Sequence, residues 1–338
     1  MADKEIIVYH YAYSPYARRI IWYLTLRGIP YSQCLQPPMM PRPDVARLGI
    51  SYRRIPVMTV GRDVYLDTRL QLPKLEALHP PLAKLGAEGA DQQALQHLLS
   101  TMVIDGGVFE SAVQLLPTDL PLLQSEAYYK DRSDYIGAKL SPDSMQKRRP
   151  EALTKIASSF KFLESTLLSD GRDWILSTES PSLADIEAVW PFHWLIGLPG
   201  ALPADTFSEK VYPRVYAWVG RFQAAVSAAK KKLGPPRSLS GEEAARLVAA
   251  SPFNEEDGSV NVTDAVVLAL GLNKGDPVKV WPTDTGASHK DTGRLVSLTE
   301  TEVVWETATT EGASVRVHAP RHGYRVSKVT DDVVRQKL

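Results

Sequence analysis

The spacing of apolar and polar positions changes twice along the 338-residue chain, dividing it into three stretches. In the first, Glu5 to Tyr11 is a β-rich run. Ala17, Ile20, Ile21 and Leu24 then recur at i, i+3, i+4 and i+7, which is one apolar face of a helix. Ser14 and Pro15 suit the start of that helix: a serine oxygen accepts an orphan backbone N–H, and proline at the first helical position has none to lose. Gly28 ends it as a left-handed cap. Tyr31 to Leu35 predicts a second strand and Pro37 to Pro43 a loop. Arg54 to Val60, the Gly61-Arg62-Asp63 turn and Val64 to Leu66 predict a hairpin, after which Asp67-Thr68 caps another helix.

Residues 90 to 230 carry helical periodicity, with Pro and Gly clusters between the candidate helices. The run Lys230-Lys231-Lys232-Leu233-Gly234-Pro235-Pro236-Arg237 reads as a linker. From about 252 the pattern turns to short strands at Val278 to Val280, Arg294 to Val296, Val303 to Trp305, Val315 to Val317 and Tyr324 to Val326. Turn signals separate them at Lys274-Gly275-Asp276-Pro277, Thr292-Gly293, Glu311-Gly312 and His322-Gly323. That spacing suits a small SH3-like β-barrel led by a helix around Thr263 to Leu270. The expected units are a mixed α/β domain at 1–82, an all-helical domain at 88–232 and the barrel at 252–330.

Composition narrows the partners more than the chemistry. Thirty-nine acidic side chains balance 39 basic ones, and the segment from Glu255 onward holds thirteen acidic and ten basic residues, which disfavours nucleic acid. The opening MADKEIIVYHY lacks the sections of a signal peptide, and no stretch is apolar for long enough to span a bilayer. One cysteine, Cys34, fits a reducing, cytoplasmic setting, and without a partnering motif it reads as a buried strand residue. The final Gln336-Lys337-Leu338 shares two of three positions with the S-K-L peroxisomal address, a coincidence on this reading. His318 and His322 stand four apart, but Pro320 and Gly323 argue against a helix between them, so no metal site is expected.

The motifs of the first two stretches come in a telling order. Ser14-Pro15-Tyr16-Ala17-Arg18-Arg19 is similar to the C-P-[FY]-A-x-R signature of omega-like glutathione transferases, with serine in place of cysteine. Ile55-Pro56-Val57 resembles that family's cis-proline element, Asp67-Thr68 stands where Glu-Ser or Asp-Ser is usual, and Ser182-Leu183-Ala184-Asp185 resembles its S/T-x-A-D capping box. The resemblance covers roughly residues 5 to 230; the third stretch departs from it and looks like an addition found in fungal transferase-like proteins, with a role in secondary metabolism. It implies a thioredoxin-like domain, a helical domain, a homodimer, and glutathione as co-substrate for a small electrophile. The added stretch is open to three readings: a packing or oligomerisation element, a lid, or a partner-binding module.

On this resemblance Ser14 stabilises the glutathione thiolate. A model thiol has a pKa near 8.5, so lowering it by about two units requires about 2.7 kcal/mol. A hydroxyl donor to a charged acceptor contributes about 1.5–3 kcal/mol and a helix N-terminus about 0.3–1. Ile55 and Pro56 would pair with the peptide backbone, Asp67 and Thr68 would hold the γ-glutamyl end, and Arg54 would face the glycine carboxylate. Tyr13, Tyr16 and Phe109 are candidates for an acceptor pocket, while Trp190 reads as packing and Ser182 and Asp185 as a helix cap. Lacking a thiol, Ser14 cannot form a mixed disulfide, which favours addition, substitution or isomerisation over redox exchange. Two alternatives remain: an isomerase of an unsaturated metabolite that regenerates glutathione, and a binding module that kept the fold without catalysis.

Overall fold

Strand β1 (Ile6–His10) is buried along its whole length, and its side chains divide by period two between two cores. Ile6 and Val8 join one apolar cluster, Ile7 and Tyr9 the other. An unbroken apolar run is what a strand covered on both faces requires. The computed structural model describes residues 5–78 and 83–329; Gln336-Lys337-Leu338 lies outside them.

Helix α1 (Pro15–Leu26) follows β1 and leads to β2 (Ser32–Leu35), which pairs parallel to β1. A short helix α2 (Pro43–Ala46) precedes the hairpin β3 (Val57–Val60) and β4 (Asp63–Leu66), and β3 lies antiparallel to β1. Helix α3 (Thr68–Leu78) closes the unit. The order β2-β1-β3-β4 with its crossover helix is the expected thioredoxin-like arrangement. Helices α4 (Ala90–Ile104), α5 (Val108–Gln114), α6 (Glu126–Ile136), α7 (Pro142–Ser165), α8 (Leu183–Ile196) and α9 (Pro213–Leu233) form the helical part. Every residue of α8 from Leu183 to Phe192 is buried, because α8 is packed between α1, α4 and the other helices. Its start is a complete capping box: Asp185 accepts from the Ser182 N–H at 2.9 Å, and also from Trp218 Nε1 and the Ile175 N–H. Among the described residues no helix is long and apolar enough to cross a membrane.

The expected linker is a correction. Helix α9 continues through Lys230 to Leu233, since three cations in a last turn sit beside the negative end of the helix dipole. Arg237–Ser238 then forms β5, parallel to β2, and Gly241–Ala250 forms α10, whose Ser240–Glu243 capping box is visible in the sequence but was not among the expected elements. Helix α11 (Ala265–Leu270) falls where a helix was expected.

All five expected strands form: β6 (Pro277–Pro282), β7 (Asp291–Leu298), β8 (Glu302–Ala308), β9 (Ser314–Pro320) and β10 (Tyr324–Lys328). They do not stand apart as a separate barrel. β9 pairs with β4, so one ten-stranded sheet runs β10-β6-β7-β8-β9-β4-β3-β1-β2-β5. The open edge of β4 offered unpaired backbone groups, and β9 satisfies them. Thr292-Gly293, expected as a turn, lies inside β7; a Cβ on Gly293 would come within 2.2 Å of the Glu306 carbonyl oxygen, so glycine serves close approach to β8. The turn between β6 and β7 is instead at residues 283–290.

The second core explains why the extension is not a loose appendage. Ile7, Val57, Val64 and Leu66 from the first unit pack in one cluster with Leu239, Val248, Val280, Leu295, Trp305 and Val317.

Candidate active site

Ser14 takes the N-cap of α1 with extended dihedrals, and its Oγ accepts the Ala17 N–H at 3.2 Å. Among the described residues its hydroxyl donates to nothing, so the proton stays available. The residue is only 2% exposed and is not part of the cleft wall; Tyr16, two residues on, is. Burial pushes the Tyr16 phenol upward, so it remains protonated. Its ring meets Phe109 and Trp190, each at 4.8 Å between centroids, in an aromatic cluster between the first unit and the helices.

The cleft beside this helix start is partly open to solvent. Six of the residues singled out from the sequence line it: Tyr16, Arg54, Ile55, Pro56, Asp67 and Thr68. The Ile55–Pro56 peptide is cis, and among the described residues neither the N–H nor the C=O of Ile55 has a hydrogen-bond partner. An extended ligand backbone therefore finds a donor and an acceptor there. A second cis peptide, Met40–Pro41, was not anticipated.

Asp67 adopts φ 62° before α3 and caps it by accepting the Arg69 N–H at 3.0 Å. Burial opposes its ionisation, but Arg69, at 3.1 Å, and Arg54, at 3.6 Å, hold the carboxyl below its ordinary range. The Thr68 hydroxyl accepts from Arg19, whose fully buried guanidinium also pairs with Glu187 of α8 and lies 5.4 Å from the Trp190 ring. Arg19 thus ties α1, α3 and α8 together directly behind the cleft.

The extension supplies Asp284 and Thr285 to the wall, beside Tyr52, Arg69, Ile104 and Tyr135. Arg54, expected to face the glycine carboxylate, donates from Nε to the Thr285 carbonyl at 3.0 Å, from Nη2 to the same oxygen at 2.6 Å, and also to Asp284. Tyr324 of β10 donates to the Tyr52 hydroxyl at 2.9 Å beside it. Gly286 holds the turn in place by donating to the Tyr135 carbonyl of α6 at 2.6 Å. With φ +73° and a would-be Cβ 3.1 Å from the Arg53 side chain, any other residue there would be strained.

Comparison with known proteins agrees with this geometry. Residues 8–83 match the family described as Glutathione S-transferase, N-terminal domain, and residues 111–231 match a Domain of unknown function (DUF7962). A GST-like protein from Pseudomonas syringae superposes with a TM-score of 0.68 at 24% identity, covering 96% of this chain and all of that one. The fold is that of a glutathione S-transferase-like protein. The beta-etherase LigF from Sphingobium sp. superposes with a TM-score of 0.51 at 16% identity, over 67% of this chain and 99% of that one. No curated protein matches the sequence.

Within this transferase-like fold the three acceptor-pocket candidates separate. Tyr16 and Phe109 meet, but Tyr13 is 49% exposed and its ring lies tilted against Tyr11 instead, 5.0 Å between centroids. Trp190 is buried in the cluster, as packing requires. Cys34 is buried in β2, and burial pushes its thiol up to about 12. Sequence reasoning missed Arg19, Arg69, Asp284 and the tyrosines at 52, 135 and 324; only Arg19 lay within a recognised motif, and a lone arginine gives no sign that it will be buried.

His318 and His322 do not converge. His322 lies near Asp105, whereas His318 in β9 bonds Asp63 at 2.9 Å and Glu302 at 3.1 Å. Glu255, Glu302 and His318 bring ligand atoms within 4.8 Å of one another, and the Lys74 ammonium stands on both glutamates at 2.7 and 2.8 Å.

Proposed function

We propose that the protein is a glutathione-dependent enzyme that uses Ser14 to hold the glutathione thiolate for attack on an electrophilic small molecule. The observation that carries this reading is the convergence on one cleft of the unpaired Ile55 backbone, the Asp67–Thr68 helix start and Tyr16 of α1, with the uncommitted Ser14 hydroxyl two residues earlier at the N-cap of that helix. The sulfur forms a bond to carbon, and either a leaving group departs with its electron pair or an adjacent π bond takes up a proton. Binding of the peptide as an added strand, with the γ-glutamyl carboxylate at the α3 N-terminus, fits the groups present. The same reading places the protein in the cytoplasm as a homodimer, with the aromatic cluster around Tyr16 and Phe109 receiving the acceptor. If the reaction is an isomerisation, product analysis shows glutathione regenerated rather than consumed.

The test is calorimetric titration of glutathione into wild type and Ser14→Ala, with thiolate absorbance followed against pH. The expected result is binding in the micromolar to millimolar range, a bound thiol pKa well below 8.5, and a rise of about one to two units in the variant. Absence of binding, or an unchanged pKa in Ser14→Ala, removes the proposal.

One observation favours a second reading, a binding module without catalysis: Arg54, Asp67 and the Thr68 hydroxyl already have partners inside the protein. That reading predicts no thiolate signal in either form.

A further inference from the structure

The charges around the cleft do not balance in favour of an anion. Its two lining guanidiniums, Arg54 and Arg69, contact three carboxylates, Asp67, Asp105 and Asp284. His322, 3.2 Å from Asp105, faces the Arg69 end, and the phenols of Tyr52, Tyr135 and Tyr324 face Arg54. A ligand bringing a carboxylate to Arg54 must therefore displace an acid or sit beside one.

The two acids on Arg54 differ in how firmly they are held. The Asp67 side chain is 7% exposed and bonds both the Arg69 backbone N–H and its guanidinium. The Asp284 side chain is 58% exposed, and Arg54 is its recorded partner. Its backbone is nonetheless fixed, because the Thr285 carbonyl takes two Arg54 donors and Gly286 donates to Tyr135. A turn anchored on both sides keeps the Asp284 charge near Arg54 even when its side chain is pushed aside.

We infer that Asp284, contributed by the extension, sets the ligand specificity of the cleft by disfavouring a carboxylate at the Arg54 end, so that the preferred ligand is a γ-glutamyl thiol peptide whose C-terminal carboxylate is masked as an ester or amide. This inference rests on the glutathione reading above. It assigns the extension a task at the site: it converts Arg54 from a carboxylate receptor into a wall that is already neutralised. The pair is partly exposed, so salt screens it.

The experiment compares two probes, glutathione and its glycyl monoethyl ester, by calorimetry on the full chain, in wild type and Asp284→Asn. Wild type is expected to bind the ester at least as tightly as the acid. Asp284→Asn is expected to shift the preference about tenfold toward the acid, the size expected for removing one like charge several ångströms away in a partly solvated cleft. A second measurement needs no variant: raising ionic strength in wild type should improve binding of the acid relative to the ester. If both probes bind and neither Asp284→Asn nor salt changes their ratio by more than twofold, or the ratio moves the other way, the inference is overturned while the Ser14 reading stands. If neither probe binds either protein, the glutathione reading itself fails and the inference falls with it.

Discussion

Replacing Arg19 with methionine is the sharpest test of how the cleft is held together. The Arg19 side chain is fully buried and that of Glu187 is 9% exposed, so Arg19→Met leaves a carboxylate without its counter-charge inside the protein. Breaking one side of a buried pair costs about 3–5 kcal/mol. Loss of the cation over Trp190 adds about 0.5–2 kcal/mol. Against a total stability of about 5–15 kcal/mol, the single variant should be visibly compromised. Arg19→Met/Glu187→Met removes both charges and fills similar volume, and should regain most of the loss, because a buried ion pair and an apolar replacement are close in free energy. Urea denaturation of wild type, both single variants and the double variant, followed by circular dichroism, closes the cycle. A loss below about 1 kcal/mol in Arg19→Met, or a double variant no more stable than the single, would refute the assignment of Arg19 as the charge-paired link between α1, α3 and α8.

Two predictions concern pH. Burial opposes the His318 imidazolium, but its hydrogen bonds to Asp63 and Glu302 outweigh that and raise its pKa, with Tyr65, Lys74 and Glu255 close by. Its contribution is therefore complete below about 6.5 and lost as pH rises through the higher folded value; melting temperature against pH should show this decline in wild type, and an identical decline in His318→Gln would contradict it. Burial also raises Asp291, from 3.8 to about 6, despite its bonds from Ser51. Between those values the folded chain holds a proton that the unfolded chain has released, so stability falls by about 3 kcal/mol as pH rises across the window. Asp291→Asn should lack that fall and be more stable than wild type at pH 7; a variant with the same slope would rule Asp291 out as the source.

The local elements could be read because each depends on a few adjacent residues. Ser14-Pro15 starts a helix wherever the chain goes next, the hairpin needs only its Gly61 turn and flanking β-branched residues, and Ser182 with Asp185 forms its box within one turn. Ile55-Pro56 and Asp67-Thr68 came to line one cleft because the thioredoxin-like order of strands brings the two segments together. Where local reasoning failed, a distant partner had decided the matter. Lys230 to Lys232 stay helical because α9 packs through Val219, Phe222 and Val226 into the first core, and Gly293 sits in a strand because β8 passes within reach of its backbone.

The sequence by itself determined the helices, the strands and the chemical types available for a thiol site, since propensity, capping and periodicity act over a few residues. Only the tertiary structure decided that the extension joins the same sheet through β4 and β9, that it shares the second core, and that it brings Asp284 and Tyr324 to Arg54 and Tyr52. Sheet edges and buried charges are satisfied by whichever groups the whole fold brings near, and residues more than 200 positions apart carry no local sign that they will meet.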